Sequence, residues 1–294
     1  MPDAAQHVLI HPRMTTTHDA QRSEWGWTLP ARARASLNRC NLPAVIVGSA
    51  AFQQWPVPLE LDGVLRSHRD LFDRLARLDD AAARSEQFAD YVDVHFLLRR
   101  PEDVGLTKTA RRDRSRADYR KLIRGWMFNA DGTEGAVLKG WVESRFGLLP
   151  RHHAGPIRDR SDATYLAYQE AWATGLYNTN ALEGQLDVLY AFCQYELPRR
   201  FAGRTHLRLY RGVNRIDEHE VLEEEGPLRT IILNNLSSFT MDRERADEFG
   251  DYILSTEVPL PKISFFSNML PGLLQGEHEF AVIGGVYEVR LTTL

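Results

Sequence analysis

The chain has 294 residues, 43% hydrophobic and 26% charged, which is enough to bury a core and excludes disordered and fibrous classes. Its 36 Lys and Arg stand against 40 Asp and Glu, and the net charge of −4 argues against a general nucleic-acid coat. Cys40 and Cys193 are too few for a disulfide framework or a Cys-based zinc site, and no apolar run reaches the length of a membrane span. These features predict a soluble, cytoplasmic protein with no nucleic-acid partner and no membrane span.

Residues 1–39 lack periodicity and include the run Thr15, Thr16 and Thr17. They read as a mobile tail in which Trp25 and Trp27 could dock. One domain is expected from 40 to 294. The segments NLPAVIVGSAAFQ and PVPLELDGV open it, with Pro and Gly around apolar runs. A mainly helical portion is expected from 40 to 204. Leu71, Leu75 and Leu78 share a helical face, as do Phe88, Tyr91, Val92, His95 and Phe96. Tyr119, Leu122, Ile123, Trp126 and Met127 repeat the pattern. So do Leu182, Leu186, Leu189, Tyr190 and Cys193, with Pro198 as the expected stop. His95, on an apolar face, reads as a core histidine, and Asn178 and Asn180 read as caps.

From 205 to 294 the period shortens. HLRLYRGV, TIILNNL, DYILSTEV, KISFFS, EFAVIGG and VYEVRL read as strands. Helices first and strands later predict an α+β fold with a strand-rich core.

Three features carry chemistry. Strand alternation puts Arg211 in register with Leu207 and Leu209, where a buried cation needs an anion. Its planar fork suits phosphate, and Gly212 beside it allows close ligand approach. Taken alone, a buried arginine–carboxylate pair is the favoured reading. Ser237, Ser238 and Thr240 close a strand before the helix-like MDRERADEFG, in which Ala246 and Phe249 are three apart. Alone, that is a polar strand end capping a helix. In QGEHEFAVIGG, extended backbone puts Glu277, Glu279, Ala281 and Ile283 on one face. Two carboxylates so placed repel each other, which suits a site where cationic charge develops; alone, they read as solvated acids.

In this order the three features resemble the arginine–serine–glutamate class of mono-ADP-ribosyltransferases, with Arg211, Ser238 and Glu279 as the matched residues and Glu277 completing Glu-x-Glu. The class commonly carries Ser-Thr-Ser where this chain has Ser238, Phe239 and Thr240. From Asn41 onward the chain is similar to the dinitrogenase reductase ADP-ribosyltransferase family of nitrogen-fixing bacteria, on NLPAVIVGSAAFQQWPVPLELDGV, the VHFLL helix, NTNALEG and LYRGVN. The resemblance implies transfer of ADP-ribose from NAD to an arginine of dinitrogenase reductase, a PII-type nitrogen signal protein as regulator, and no metal. It implies Glu279, Glu277 and Ser238 in catalysis, and Arg211, Gly212, Ser238, Thr240, Phe249 and Glu279 around NAD. The stretch Ser267 to Gly276 is expected to meet the target protein.

Other signals read as ordinary surface. His152 and His153 lack metal-ligand spacing, and the acidic run from 217 to 226 reads as a solvated helix or loop. Arg112, Arg116, Arg120 and Arg124 form a basic stripe, either a solvated face or a docking edge. An NAD glycohydrolase and a non-catalytic binding module are the alternatives.

Overall fold

The computed structural model describes residues 22–98, 117–177, 179–270, 272–273 and 279–293. The helical portion comprises α1 (Ala44–Val47), α2 (Ala50–Gln54), α3 (Val64–Ser67), α4 (Arg69–Leu75), α5 (Ala81–His95), α6 (Tyr119–Phe128), α7 (Thr133–Phe146), α8 (Ala163–Gly175) and α9 (Ala181–Arg200). A small hairpin, β1 (Arg22–Ser23) and β2 (Gly26–Trp27), precedes it. The strands that follow are β3 (His206–Val213), β4 (Glu220–Glu225), β5 (Leu228–Thr240), β6 (Tyr252–Pro259), β7 (Ile263–Phe266) and β8 (Glu279–Thr293), with α10 (Arg243–Asp247) after β5. This is the expected α+β arrangement. A continuous apolar core runs from Leu29 to Val289 and joins helices to sheet.

The apolar faces read from the sequence are largely the buried ones. Tyr119, Leu122, Ile123 and Trp126 of α6 are buried, as are Leu182, Leu186, Leu189, Tyr190 and Cys193 of α9. Two buried ion pairs tie the helices together, as burial of charge demands. Arg84 of α5 meets Glu196 of α9, and Arg145 of α7 meets Asp187 of α9 at 2.7 Å.

Several expectations are corrected. Residues 22–39 are no tail: Leu29 and Ala33 enter the core, and the Trp27 indole donates to Glu223 at 2.8 Å. Residues 1–21 lie outside the described residues. The acidic run is not a solvated helix or loop; it holds β4, because Glu220 and Glu223 meet Arg32, Arg151 and Arg22. His95 is exposed rather than core, lying 4.9 Å from the His68 ring and stacked on Tyr91. Pro198 does not stop α9, whose last turn closes with Phe201 N–H donating to Leu197 O at 2.9 Å. Asn180 makes no side-chain cap bond; Thr179 Oγ1 accepts from Ala181 N instead, and Asn178 lies outside the described residues.

The sheet runs β4–β5–β3–β6–β8–β7, with β5 also paired to β8. That last pairing matters most. It runs antiparallel from Leu228↔Arg290 to Thr240↔Glu279, with a register shift between Leu233 and Leu236. At the shift a Cβ on Gly284 would sit 1.9 Å from Asn234 O, so only glycine fits there. Lys262 Nζ donates to Gly284 O from a fully buried position beside the Phe52 and Tyr287 rings.

Burial pushes the Lys262 ammonium down to about 7. Between about pH 7 and the ordinary lysine range the unfolded chain holds a proton that the folded one lacks, so wild-type stability gains with rising pH there. Below about 7 both states are protonated and the burial penalty is constant. The advantage of Lys262→Met over wild type in denaturant unfolding should therefore shrink between pH 7 and pH 10. A pH-independent difference would contradict this.

Candidate active site

Arg211, Ser238 and Glu279 come from three strands and meet because of register. Tyr210 of β3 pairs with Thr240 of β5, and Thr240 pairs with Glu279 of β8. Arg211 Nη1 donates to Ser238 O at 2.8 Å, and Ser238 Oγ donates to Glu279 Oε1. Arg211 makes no arginine–carboxylate ion pair among the described residues, and its Nε is buried without a hydrogen-bond partner. Burial holds the guanidinium below its ordinary range, while the charges of Glu279, Glu218 and Asp131 oppose that effect. A buried, unsatisfied donor on a cation is an invitation to an anion.

Arg211 and Ser238 face a cavity of about 560 Å³ between sheet and helices, and Glu279 stands just outside its lining, bonded to Ser238. Arg211, Ser237 and Ser238 line one side; Trp126, Asp131, Lys139, Arg151 and His152 line the helical side. The link between the two sides is the irregular step in β5. Asn234 Oδ1 accepts from Arg151 N at 2.8 Å, and Asn234 Nδ2 donates to His152 O at 3.0 Å. Asn235 Nδ2 donates to Lys139 O at 2.8 Å and to Leu148 O at 3.0 Å.

The cavity is cationic in a controlled way. Lys139, 1% exposed, donates to Asp131 at 2.8 Å and to His152 O at 3.0 Å. Burial opposes ionisation of Asp131, but the His152 hydrogen bond and the Lys139 charge hold its carboxyl well below the usual range. Burial, followed by the Lys139 charge, pushes His153 down to about 4; burial and then Arg211 do the same to His219. Both imidazoles are therefore neutral at pH 7. Asp131, His152 and His153 thus serve Lys139, and no cluster of three or more metal-ligating side chains occurs among the described residues.

Other sequence-derived candidates find different places. A Cβ on Gly212 would lie 2.1 Å from Ala246 O and 3.0 Å from Phe249, so Gly212 admits α10 rather than a ligand. Phe249 sits at the end of α10, exposed and outside the cavity lining. Thr240 is buried and its Oγ1 accepts from Asp242 N at 3.1 Å, leading the chain into α10. Phe239, where the class carries Thr, is buried opposite Phe280. Glu277 lies outside the described residues. Within the stretch 267–276, Met269, Leu270 and Leu273 turn into the core instead of toward a partner; Pro271 and 274–276 lie outside the described residues. Arg120 is bound to Asp93 at 2.6 Å and Asp118 at 3.0 Å, which ties α6 to α5. Arg124 is exposed, and Arg112 and Arg116 lie outside the described residues.

Sequence reasoning missed Trp126, whose Nε1 lies 3.1 Å from Ser238 Oγ and 3.3 Å from Glu279 Oε1. Helical period marked it only as apolar. The cations Lys139 and Arg151 carried no motif at all. A second cavity of about 410 Å³, lined by Pro56, Leu59, Phe72 and Tyr190 among others, holds none of the three matched residues.

Removing the partner of Lys139 should be costly. Asp131→Ala leaves a buried ammonium without its carboxylate, and the loss should be about 3 kcal/mol, the low end for breaking a buried pair, because Asp131 is partly exposed. Denaturant unfolding measures it. A loss under about 1 kcal/mol would show that Lys139 needs no counter-charge.

Comparison with known proteins gives the same direction. The family model described as dinitrogenase reductase ADP-ribosyltransferase matches residues 37–291. The chain is 40% identical over 268 residues to the NAD(+)–dinitrogen-reductase ADP-D-ribosyltransferase of Rhodospirillum rubrum, covering 88% of this chain and 95% of that protein. No solved structure matches the chain. A match over this span and at this identity leaves one conclusion: the chain belongs to the dinitrogenase reductase ADP-ribosyltransferase family.

Proposed function

We propose that this protein transfers ADP-ribose from NAD to an arginine of dinitrogenase reductase, with Arg211, Ser238 and Glu279 as the core of the site. The observation that carries the reading is the Arg211–Ser238–Glu279 contact chain, which starts on the wall of the cavity at Arg211 and Ser238 and ends at Glu279 beside it. The buried, unpartnered Nε of Arg211 suits a dinucleotide diphosphate. Lys139 and Arg151, paired with Asp131 and Glu220, stand on the facing wall.

Cleavage of the nicotinamide–ribose bond sends its electron pair to the nicotinamide nitrogen and leaves positive charge on the ribose, as in glycoside hydrolysis. Glu279 stabilises that charge, and Ser238 holds the carboxylate by donating to Oε1. A guanidinium nitrogen of the acceptor then bonds to the ribose carbon and gives up a proton. Glu277 is the proposed acceptor of that proton, since a guanidinium is otherwise a poor nucleophile. Regulation by a PII-type nitrogen signal protein and a cytoplasmic location belong to this proposal by resemblance. Among the described residues, no helix is long and apolar enough to cross a membrane.

Incubation with labelled NAD and dinitrogenase reductase tests the reading: label on dinitrogenase reductase supports transfer, and free ADP-ribose alone supports hydrolysis. Glu279→Gln should keep NAD binding and lose on the order of 10²–10³ in kcat, the effect of removing a main electrostatic stabiliser. Wild-type turnover in that variant would remove Glu279 from the chemistry. Glu277→Gln should lose arginine modification while NAD hydrolysis survives. Equal loss of both activities would place Glu277 in NAD cleavage itself.

A further inference from the structure

Trp126 stands on α6, in the helical portion, yet its indole edge reaches the carboxylate of β8. Nε1 lies 3.1 Å from Ser238 Oγ and 3.3 Å from Glu279 Oε1, and Ser238 Oγ itself donates to that same Oε1. The three groups close a triangle. The Ser238 proton is committed to Glu279, so the hydroxyl oxygen can accept from Trp126, and an indole N–H only donates. The hydrogen-bond polarity is therefore fixed: Trp126 to Ser238 and Glu279, Ser238 to Glu279.

Two further observations set Trp126 apart from a tryptophan that merely fills the core. The chain tolerates a buried indole N–H with no partner at Trp172, so satisfying a donor does not by itself require the double contact at Trp126. Lys139 Nζ also lies over the Trp126 ring, 5.9 Å from its centroid, with Lys139 anchored by Asp131 and His152 O. Trp126 is 3% exposed, so the indole has little freedom to turn.

We infer that Trp126 is a positioning residue that fixes the Glu279 carboxylate, and the hydroxyl of Ser238, through its indole N–H. The inference rests on the reading of Glu279 given above. Donors to a carboxylate favour its charged form, so loss of the Trp126 N–H disfavours that form of Glu279. Among the described residues, the Arg211 guanidinium on β3 interacts electrostatically with Glu279, and Lys139 on α7, bound to Asp131, lies over the Trp126 ring.

Trp126→Phe keeps an aromatic ring and removes the N–H. Nicotinamide release should fall roughly 10- to 100-fold in kcat, the scale of a hydrogen bond to a charged group, with KM for NAD within about twofold. The acidic limb of the kcat–pH profile should move to higher pH, because the carboxylate has lost a donor. A second readout uses the unaltered protein: with ¹⁵N-labelled tryptophan, one indole N–H resonance should shift as Glu279 titrates and stop shifting in Glu279→Gln. Wild-type kcat and an unmoved acidic limb in Trp126→Phe would overturn the inference. So would equal losses in kcat and NAD affinity, or, where that variant does not fold, an indole spectrum indifferent to Glu279. Full turnover in Glu279→Gln would instead bring down the reading of the site and this inference with it. An inactive Glu279→Gln beside an unimpaired Trp126→Phe would bring down the inference alone.

Discussion

The register between β5 and β8 is the constraint on which the rest depends. Side chains in a strand alternate faces, so a slip of one residue would turn the hydroxyl of Ser238 away from Glu279. The buried pairs Phe239↔Phe280 and Ser237↔Val282 stand guard over that register, since a slip would carry Phe239 out of the core. The interruption between Leu233 and Leu236 is equally consequential. It releases Asn234 and Asn235 from regular pairing, and their side chains grip α7 and the loop after it. One strand thus carries the serine of the site at its end and, four residues earlier, the clamp that sets the opposite cavity wall.

Charge in this cavity is managed by burial and pairing. Arg211 retains an unsatisfied donor, whereas Lys139 is fully engaged by Asp131 and backbone carbonyl. The neighbouring imidazoles of His153 and His219 are kept neutral, so fixed cations set the field. Fixed charge in a partly enclosed site is what binds and orients a dinucleotide without reorganisation during the reaction. The carboxylate of Glu279 sits at the edge of that cationic field, within reach of Arg211's charge and under two hydrogen-bond donors.

The strand-borne part of the site was legible because its signals are local. Arg211 breaks an apolar alternation, Ser238 stands at a strand end, and Glu279 opens a strand. Periodicity exposed the apolar faces of α6 and α9 for the same reason. What stayed hidden depends on contacts between distant segments. Trp126 and Ser238 are 112 residues apart, and no spacing rule pairs them. TIILNNL read as a plain strand because an irregularity is defined by its partner, Gly284, and not by its own sequence. The acidic run looked solvated until Arg22, Arg32 and Arg151 were found opposite it. Gly212 looked like room for a ligand, but α10 occupies that space.

The central claim is that the three strand residues and the helical wall hold one NAD molecule between them. A crystal structure of the Glu279→Gln variant with NAD tests it most directly. The account predicts the diphosphate against Arg211 in the cavity of about 560 Å³, with the nicotinamide-bearing ribose carbon facing position 279. NAD bound instead in the apolar groove beside Pro56, Leu59 and Tyr190 would contradict it.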